Sequence, residues 1–392
     1  MKPAFVHANI IASPSDAHAG VIDSTGHLRA YHGGRRKPQP GIRPSIQKRH
    51  LLYGLGIYAA AKVLPPYLAE STRFALCDSF EKRVLRDLQP GDNLIGGLGY
   101  LNRCIERVQG WGGISLLDAR NSHPSSFWTI VAEEYGRWDV KRPPILPYHH
   151  ARQQRSAAIS DYFFVPSNFV RDSFIKHGFP PEKLLLLPYP VDLDLFHPPA
   201  NPRPKDRPLT MISSGGLDLR KGAPYLFEAF QIVRKEVPNA RLKLIHNIAP
   251  SVESIMKRKG YDKLPIDWAP YMHGRPALIS WLQEADIFVL PTLEEGMVRS
   301  AAEAMSCGLP VVTTANSGIN DHITEGENGS IVPLRDPQAT AAAVLVWWEK
   351  IQSGDHDPTT AKMNREALSH KNFTKTLLTH LQNIRFPLTP DP

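Results

Sequence analysis

Two carboxylates eight residues apart, Glu295 and Glu303, stand in the stretch Pro291–Val312, PTLEEGMVRSAAEAMSCGLPVV. A carboxylate accepts several hydroxyl hydrogen bonds and suits a sugar or a ribose. Between the two lie Gly296, Met297, Val298, Arg299 and Ser300, where an acidic turn gives way to Ala301, Ala302, Glu303, Ala304 and Met305, strong helix formers. The first amides of a helix have no intrahelical acceptor and its dipole favours an anion, so this turn suits a phosphate. Amides for a diphosphate, flanked by carboxylates for hydroxyls, describe a nucleotide-sugar site. The residues also admit a plainer role, with Glu295 as a dipole partner and Glu303 as a solvated helix residue.

The flanking elements must position these groups. Asp286–Leu290, DIFVL, is a short apolar run bounded by Pro291 and reads as a buried strand. Gly308 suits the helix exit, and Pro310 opens the strand Val311–Val312. The helix therefore starts at the carboxyl end of a parallel strand, where open α/β sheets bind ligands. A second polar loop of this kind follows Trp111–Asp118, WGGISLLD, another apolar run. It contains His123, which could donate to a sugar hydroxyl or move a proton near neutral pH, or serve as an ordinary polar loop residue.

The spacing of Glu295 and Glu303, Gly296 after the first, and EAMSCGLPVV after the second resemble the retaining GT-B glycosyltransferases of family four, also called group 1. SSGGLDLRKGAPYLFEAF, residues 213–230, is similar to the family's glycine, arginine and lysine motif, and VPSNFVRDSFIKHGFPPEKLLLLPYPVDLDLF, residues 165–196, to its last first-domain segment. The resemblance implies that Glu295 contacts the donor sugar, Glu303 the ribose and Lys221 the diphosphate. Without a metal, a cation must stabilise the departing nucleoside diphosphate. Three departures stand out. Met297-Val298, followed by Arg299, stands at the second Phe-Gly step, Pro190 stands at a usual Gly, and the family's arginine falls on Gly215 or Gly216. Arg220, beside Lys221, is the candidate substitute. A His at the end of a comparable first-domain strand is common in the family, which extends the interest in His123.

The resemblance implies an α/β chain of GT-B architecture, two Rossmann-like doubly wound domains facing across a cleft. The expected boundaries are an acceptor domain over 1–197, completed by a C-terminal helix at 361–385, a Pro-rich linker over 198–208, and a nucleotide-sugar domain over 209–360. HPPANPRPKDRP, residues 197–208, has a proline density that forbids helix and central strand. The first fifty residues read least clearly: Ala4–Ile11 as a strand, Ala17–Tyr31 as a helix, and Gly20 or Gly33-Gly34 as candidates for a glycine-rich loop. The Pro-interrupted basic run Arg35, Arg36, Lys37, Arg43, Lys48 and Arg49 reads as a solvated loop or as an acceptor or membrane-surface patch.

Hydrophobic content of 42% and charged content of 21% are globular values. No apolar run approaches bilayer-spanning length and no signal-peptide core is evident, so a cytoplasmic protein is expected, with a peripheral place at the inner membrane face as its variant. Cys77, Cys104 and Cys307 are odd in number and far apart, which argues against disulfides and zinc. Asp192-Leu193-Asp194 has the Asp-x-Asp pattern but lies in the interdomain segment, and His149-His150 lacks further ligand spacing; neither metal nor cofactor is expected. A net charge of +8 fits an anionic nucleotide-sugar donor and a saccharide or lipid-linked acceptor. No basic helix with interleaved aromatics points to nucleic acid. The expected reaction is hexosyl transfer with retention of configuration, with an epimerase, a phosphorylase or a non-catalytic nucleotide-sugar-binding relative as alternatives on the same fold.

Overall fold

The computed structural model describes residues 4–9, 16–34, 37–141, 147–201, 203–204, 206–245, 248–269, 275–356 and 366–384. Among them, thirteen strands form two wholly parallel sheets. Parallel strands need crossover connections, and helices supply most of them. The first sheet holds β1 (Ala4–Asn9), β2 (Leu28–Gly33), β3 (Gln47–Arg49), β4 (Asp92–Gly97), β5 (Ser115–Asp118), β6 (Tyr162–Val165) and β7 (Leu184–Leu186), in the spatial order β3-β2-β1-β4-β5-β6-β7. The second holds β8 (Thr210–Ser214), β9 (Arg241–Ile245), β10 (Ile266–Ala269), β11 (Ile287–Leu290), β12 (Val311–Thr314) and β13 (Gly329–Val332), ordered β10-β9-β8-β11-β12-β13.

The connecting helices of the first half are α1 (Asp16–Ser24), α2 (Leu51–Val63), α3 (Pro66–Asp87), α4 (Asn102–Gly110), α5 (Pro124–Arg137), α6 (Pro147–Ile159) and α7 (Asn168–Lys176). The second half adds α8 (Ala223–Glu236), α9 (Pro250–Lys259), α10 (Arg275–Gln283), α11 (Arg299–Ser306), α12 (Pro337–Ser353) and α13 (His370–Asn383). With helices over both faces, central strands such as IFVL of β11 are apolar at every position and buried throughout. Each sheet reverses its strand order once, between β1 and β4 and between β8 and β11. Those reversals leave crevices at the carboxyl ends of the strands.

The two halves interlock. Val131 and Tyr135 of α5 belong to the apolar cluster of the second sheet, with Phe227, Phe230 and Trp347. Tyr189, Val191 and Phe196 pack with Ile212 and Phe288, so the chain joins the second sheet before the Pro-rich stretch begins. Phe373, Leu377 and Leu381 of α13 return to Phe5, Ile22 and Leu28 beside the first sheet. Arg203 and Arg207 of the Pro-rich stretch reach Asp286 at 2.7 and 2.5 Å, which ties that stretch to the start of β11.

Several expectations are corrected. Residues 17–31 are not one helix: α1 ends at Ser24, Gly26 turns the chain at φ +73°, and β2 follows. Of WGGISLLD only Ser115–Asp118 is strand, because residues 111–113 close the turn after α4. The C-terminal helix begins at His370, capped by Ser369. Trp268 is 39% exposed on the edge strand β10. The first strand ends at Asn9 within the described residues, Gly20 lies inside α1, and Arg35 and Arg36 lie outside the described residues.

Candidate active site

At the β8/β11 reversal, Gly222 and Gly296 set the backbone. Gly222 has φ +71°, and a Cβ there would meet the Pro291 carbonyl oxygen at 1.8 Å. The turn before α8 therefore lies directly against the end of β11, and Leu293 N donates to Arg220 O at 2.8 Å. A Cβ on Gly296 would meet the Arg120 carbonyl oxygen, on the first domain, at 1.9 Å. The two domains touch there backbone to backbone. Ser167, which caps α7, adds a bond from its hydroxyl to Gly296 O at 2.7 Å.

A cavity of about 340 Å³ opens at this junction, lined from the second domain by Lys221, Glu295 and Met297 to Ser300 and from the first by Arg120, Asn121 and Tyr189. Lys221 and Glu295 thus face one space, with Nζ 3.2 Å from Oε2. The start of α11 borders it. Ser300 Oγ is turned the other way, donating to Ser214 O at 2.9 Å and fixing the helix start against β8. Gly215, at φ +111°, leaves room for the lysine: a Cβ there would stand 3.0 Å from Lys221 Nζ. Gly216, its neighbour, is exposed.

Arg220 takes a different place. Its Nη1 donates to Glu295 Oε2 at 3.0 Å, to Glu294 O at 2.5 Å and to Glu294 Oε2 at 3.3 Å, and its guanidinium lies over Phe127 at 5.9 Å. It holds two adjacent carboxylates and is not among the cavity's lining residues. Burial would push the Glu295 carboxyl up, but Arg220 and Lys221 more than offset it and hold it below the usual carboxylate range. Burial wins at Glu294, whose carboxyl is raised despite Arg220. Glu294 also accepts from Ser122 N at 2.8 Å and Asn121 Nδ2 at 3.0 Å, so it joins the domains directly behind the cavity.

Glu303 lies one turn into α11, its Oε1 3.6 Å from Arg299 Nη2. Arg299 lines the cavity; Glu303 is not among its lining residues. His123 is not brought to the cavity either. It caps α5, accepting from Ser125 N at 3.3 Å, stacks on His177 at 4.0 Å and meets the edge of Phe174 at 5.2 Å. The Pro at 124 starts the helix one residue after it, and that turns the imidazole back onto α7. Burial, with help from His177 and His150, lowers its pKa to about 4, so the ring is neutral at physiological pH. Two of the three first-domain residues that do reach the cavity, Arg120 and Asn121, come from the same loop, three and two residues earlier; the third is Tyr189.

Those groups were not singled out from the sequence. Asp118, at the end of β5, accepts from Tyr189 OH at 2.7 Å and lies 3.7 Å from Arg120 Nε. The strand end was legible, and an Asp-x-Arg-Asn run leaving it was the signal available. Tyr189 gave none, being one aromatic in an apolar, Pro-rich segment. Among the described residues, no group of three or more His, Cys, Asp or Glu is arranged to hold a metal ion, and the three cysteines are buried and form no disulfide.

Comparison with known proteins bears on this arrangement. A family model described as glycosyl transferases group 1 matches residues 208–350. The chain is 27% identical over 236 residues to a putative colanic acid biosynthesis glycosyltransferase of Salmonella typhimurium, covering 58% of this chain and 56% of that protein. It is 28% identical over 235 residues to a GDP-mannose-dependent alpha-(1-6)-phosphatidylinositol monomannoside mannosyltransferase of Mycolicibacterium smegmatis, covering 55% and 59%. The matches span little more than half the length of these relatives. Two solved structures superpose over nearly all of both chains: the apo lipopolysaccharide outer core galactosyltransferase WaaB, with a TM-score of 0.60 and 16% identity over 98% of this chain and all of the other, and an Escherichia coli trehalose-6-phosphate protein bound with UDP-2-fluoro glucose, with 0.66 and 14% over 99% and 100%. Residues 208–350 thus match the group 1 glycosyltransferases, and the chain that carries them has the GT-B fold of two Rossmann-like domains.

Proposed function

We propose that the protein transfers a hexosyl group from a nucleotide-sugar donor to a saccharide or lipid-linked acceptor, with retention of anomeric configuration. The observation that carries this reading is the pairing of Lys221 with Glu295 in a cavity bounded by the start of α11, at the β8/β11 reversal. The donor diphosphate lies against the first turn of α11, where helix amides and dipole favour an anion. It takes Lys221 Nζ as counter-ion, and the ammonium stabilises the charge that grows on the departing nucleoside diphosphate. Glu295, ionised by its two cationic neighbours, accepts hydroxyls of the sugar. Glu303 serves the ribose, with Arg299 between it and the cavity.

From the first domain, Arg120 and Asn121 bring donors to the reacting end of the sugar, and Asp118 with Tyr189 fixes that loop. The domain contact through Glu294 and Gly296 excludes water on the far side of the cavity and holds donor and acceptor faces in register. No step requires a metal. The reading is supported by the names of the relatives: one uses GDP-mannose, another acts in colanic acid biosynthesis, and one structural neighbour is bound to a UDP-sugar analogue. The experiment is a thermal-shift screen over UDP, GDP and their common sugars, followed by transfer with acceptor extracts and NMR of the new anomeric proton. The reading predicts stabilisation by one base's nucleotide sugars and a product with the donor's anomeric configuration. Inversion, or release of an epimerised nucleotide sugar with no acceptor consumed, would overturn it.

A further inference from the structure

A second cavity, of about 670 Å³, lies between the domains and shares no lining residue with the donor cavity. The first domain contributes the start of α5 and much of α7, and the second contributes the loop 315–321 after β12. Glu295 stands between the two spaces. Its side chain lines the donor cavity, while its N–H donates to Asn316 O at 3.1 Å and its carbonyl accepts from Gly318 N at 2.9 Å. A Cβ on Gly318 would meet Gly296 O at 1.9 Å and Ser167 Oγ at 2.5 Å, so this loop is pressed against Gly296 and the cap of α7. Asp321 Oδ2 accepts from Asn168 N at 2.7 Å across the junction.

The two cavities differ in chemistry. The donor cavity sets three cations, Arg120, Lys221 and Arg299, against one carboxylate, and suits an anion. The second sets Asp172 and Asp321 against Lys176, and nine of its sixteen lining residues are Ser, Thr or Asn. Ser317 is fully buried, and its hydroxyl finds no hydrogen-bond partner among the described residues; neither does Asn320 Oδ1. Roughly nine in ten buried polar atoms are paired, and leaving one unpaired costs about 1–3 kcal/mol. Two such atoms on one loop, both on residues lining one space, point to a ligand. An amide oxygen requires a donor, a serine hydroxyl takes either role, and the two carboxylates accept. Ligand hydroxyls meet all of these needs. Phe169, half-buried in the wall, offers an apolar face to a sugar ring. The carboxylates count against a phosphate.

We propose that this second cavity binds an uncharged saccharide that bridges the two domains, at a site separate from the donor cavity. A ligand held by both domains favours the arrangement in which Gly296 touches Arg120 O. Its effect on turnover rests on the proposed transfer; saccharide binding itself does not. The same chemistry comes from two sources, a free sugar or a sugar unit of the acceptor remote from the reacting end.

The test uses the full chain and saturation-transfer NMR with glucose, mannose, galactose, maltose and the isolated transfer product. The proposal expects a signal from at least one of them that excess UDP and GDP leave in place. Thr129→Trp, at an exposed lining position on α5, should weaken that binding at least about tenfold by filling the space, while melting temperature and nucleotide affinity hold. Ser317→Ala should weaken it severalfold without lowering the melting temperature, because an unpaired buried hydroxyl does not stabilise the fold. Gly296→Ala, which parts the domains, should weaken it as well, whereas a site on one domain would be indifferent. Signal from the free sugars makes the ligand a diffusible effector, and signal from the product alone makes it part of the acceptor chain; both support the site. Equal signal in wild type and Thr129→Trp would overturn the proposal. Absence of signal from all five would also overturn it, leaving Ser317 and Asn320 to ordered water. So would stabilisation by inorganic phosphate that Lys176→Gln removes, with no response to sugars. Saccharide binding without nucleotide binding would leave this site intact and refute the transfer reading alone.

Discussion

The Nζ of Lys221 stands 3.2 Å from Oε2 of Glu295, and the same carboxylate oxygen takes Arg220 Nη1 at 3.0 Å from the other side. One cation faces the cavity and the other is enclosed behind it, so neighbouring residues of one turn have separable roles. Lys221→Ala should abolish transfer and weaken nucleoside diphosphate binding, with little change in melting temperature. Glu295→Gln should keep nucleotide binding and lose turnover by at least about a hundredfold, because the hydroxyl acceptor becomes a poorer one. Steady-state kinetics with calorimetry on both variants distinguishes these outcomes.

Arg220→Ala should instead cost stability. It leaves Glu294 and Glu295 adjacent and enclosed without their shared cation, and breaking such a buried pair costs about 3–5 kcal/mol. Chemical denaturation should read most of that loss. A variant that unfolds like wild type while losing diphosphate affinity would show that Arg220 faces the donor after all.

Glu134 tests the second domain junction. Its carboxylate is fully buried and accepts from Tyr225 OH at 2.6 Å, Arg335 Nε at 2.8 Å and Trp138 Nε1 at 2.7 Å. Arg335 holds its place from a backbone at φ +60°. Glu134→Ala leaves the Tyr225 phenol and the Trp138 indole without their acceptor and Arg335 with Glu133 alone, and should destabilise the chain by about 2–3 kcal/mol. It should also loosen α5 from α8, read as an increased radius of gyration in solution scattering. Unchanged scattering and stability would contradict the assigned clamp.

Gly296→Ala separates closure from donor binding. Its new methyl group would overlap Arg120 O, so the domains must part at the cavity. Nucleoside diphosphate affinity should stay within a few fold of wild type, because Lys221 and α11 are untouched, while transfer falls at least about tenfold. Full activity in this variant would mean that the Arg120 contact is not part of the working state.

The pH dependence of stability follows from buried neutral imidazoles. Burial lowers the pKa to about 3 for His18 and His149 and to about 4 for His32 and His123. The unfolded chain binds protons at these positions near pH 6.5, and the folded chain does not until about pH 3–4. The unfolded form therefore holds more protons in between, and stability rises with pH over that window. Each contribution is present above about pH 6.5 and disappears as pH falls through the folded value. Melting temperature should drop steadily between pH 6.5 and 4. His123→Asn keeps a helix cap but removes one titration, so it should flatten that slope with transfer at neutral pH near wild type. Loss of transfer in this variant would restore a catalytic role to His123.

The second half of the site was legible because its chemistry is local. Glu295, Gly296 and the start of α11 sit in one run of sequence, and the strand, turn and helix signals on either side agree. Lys221 was legible through motif resemblance. The first domain's share was not. Which residue of Arg120, Asn121, Ser122 and His123 meets the cavity depends on where α5 begins, and Pro124 places that start so that the His turns away. Arg220 was adjacent to Lys221 in sequence but enclosed in space, which a linear reading cannot separate. The first fifty residues misled because Gly26 converts an apparent helix into helix, turn and strand, a change of period that composition does not announce.

Calorimetric titration of UDP and GDP into wild type and Lys221→Ala tests the central claim most directly. The account predicts that one of the two nucleotides binds the wild type and that the variant binds it at least about tenfold more weakly at an unchanged melting temperature. Equal affinity in the two proteins, or no binding of either nucleotide to the wild type, would contradict it.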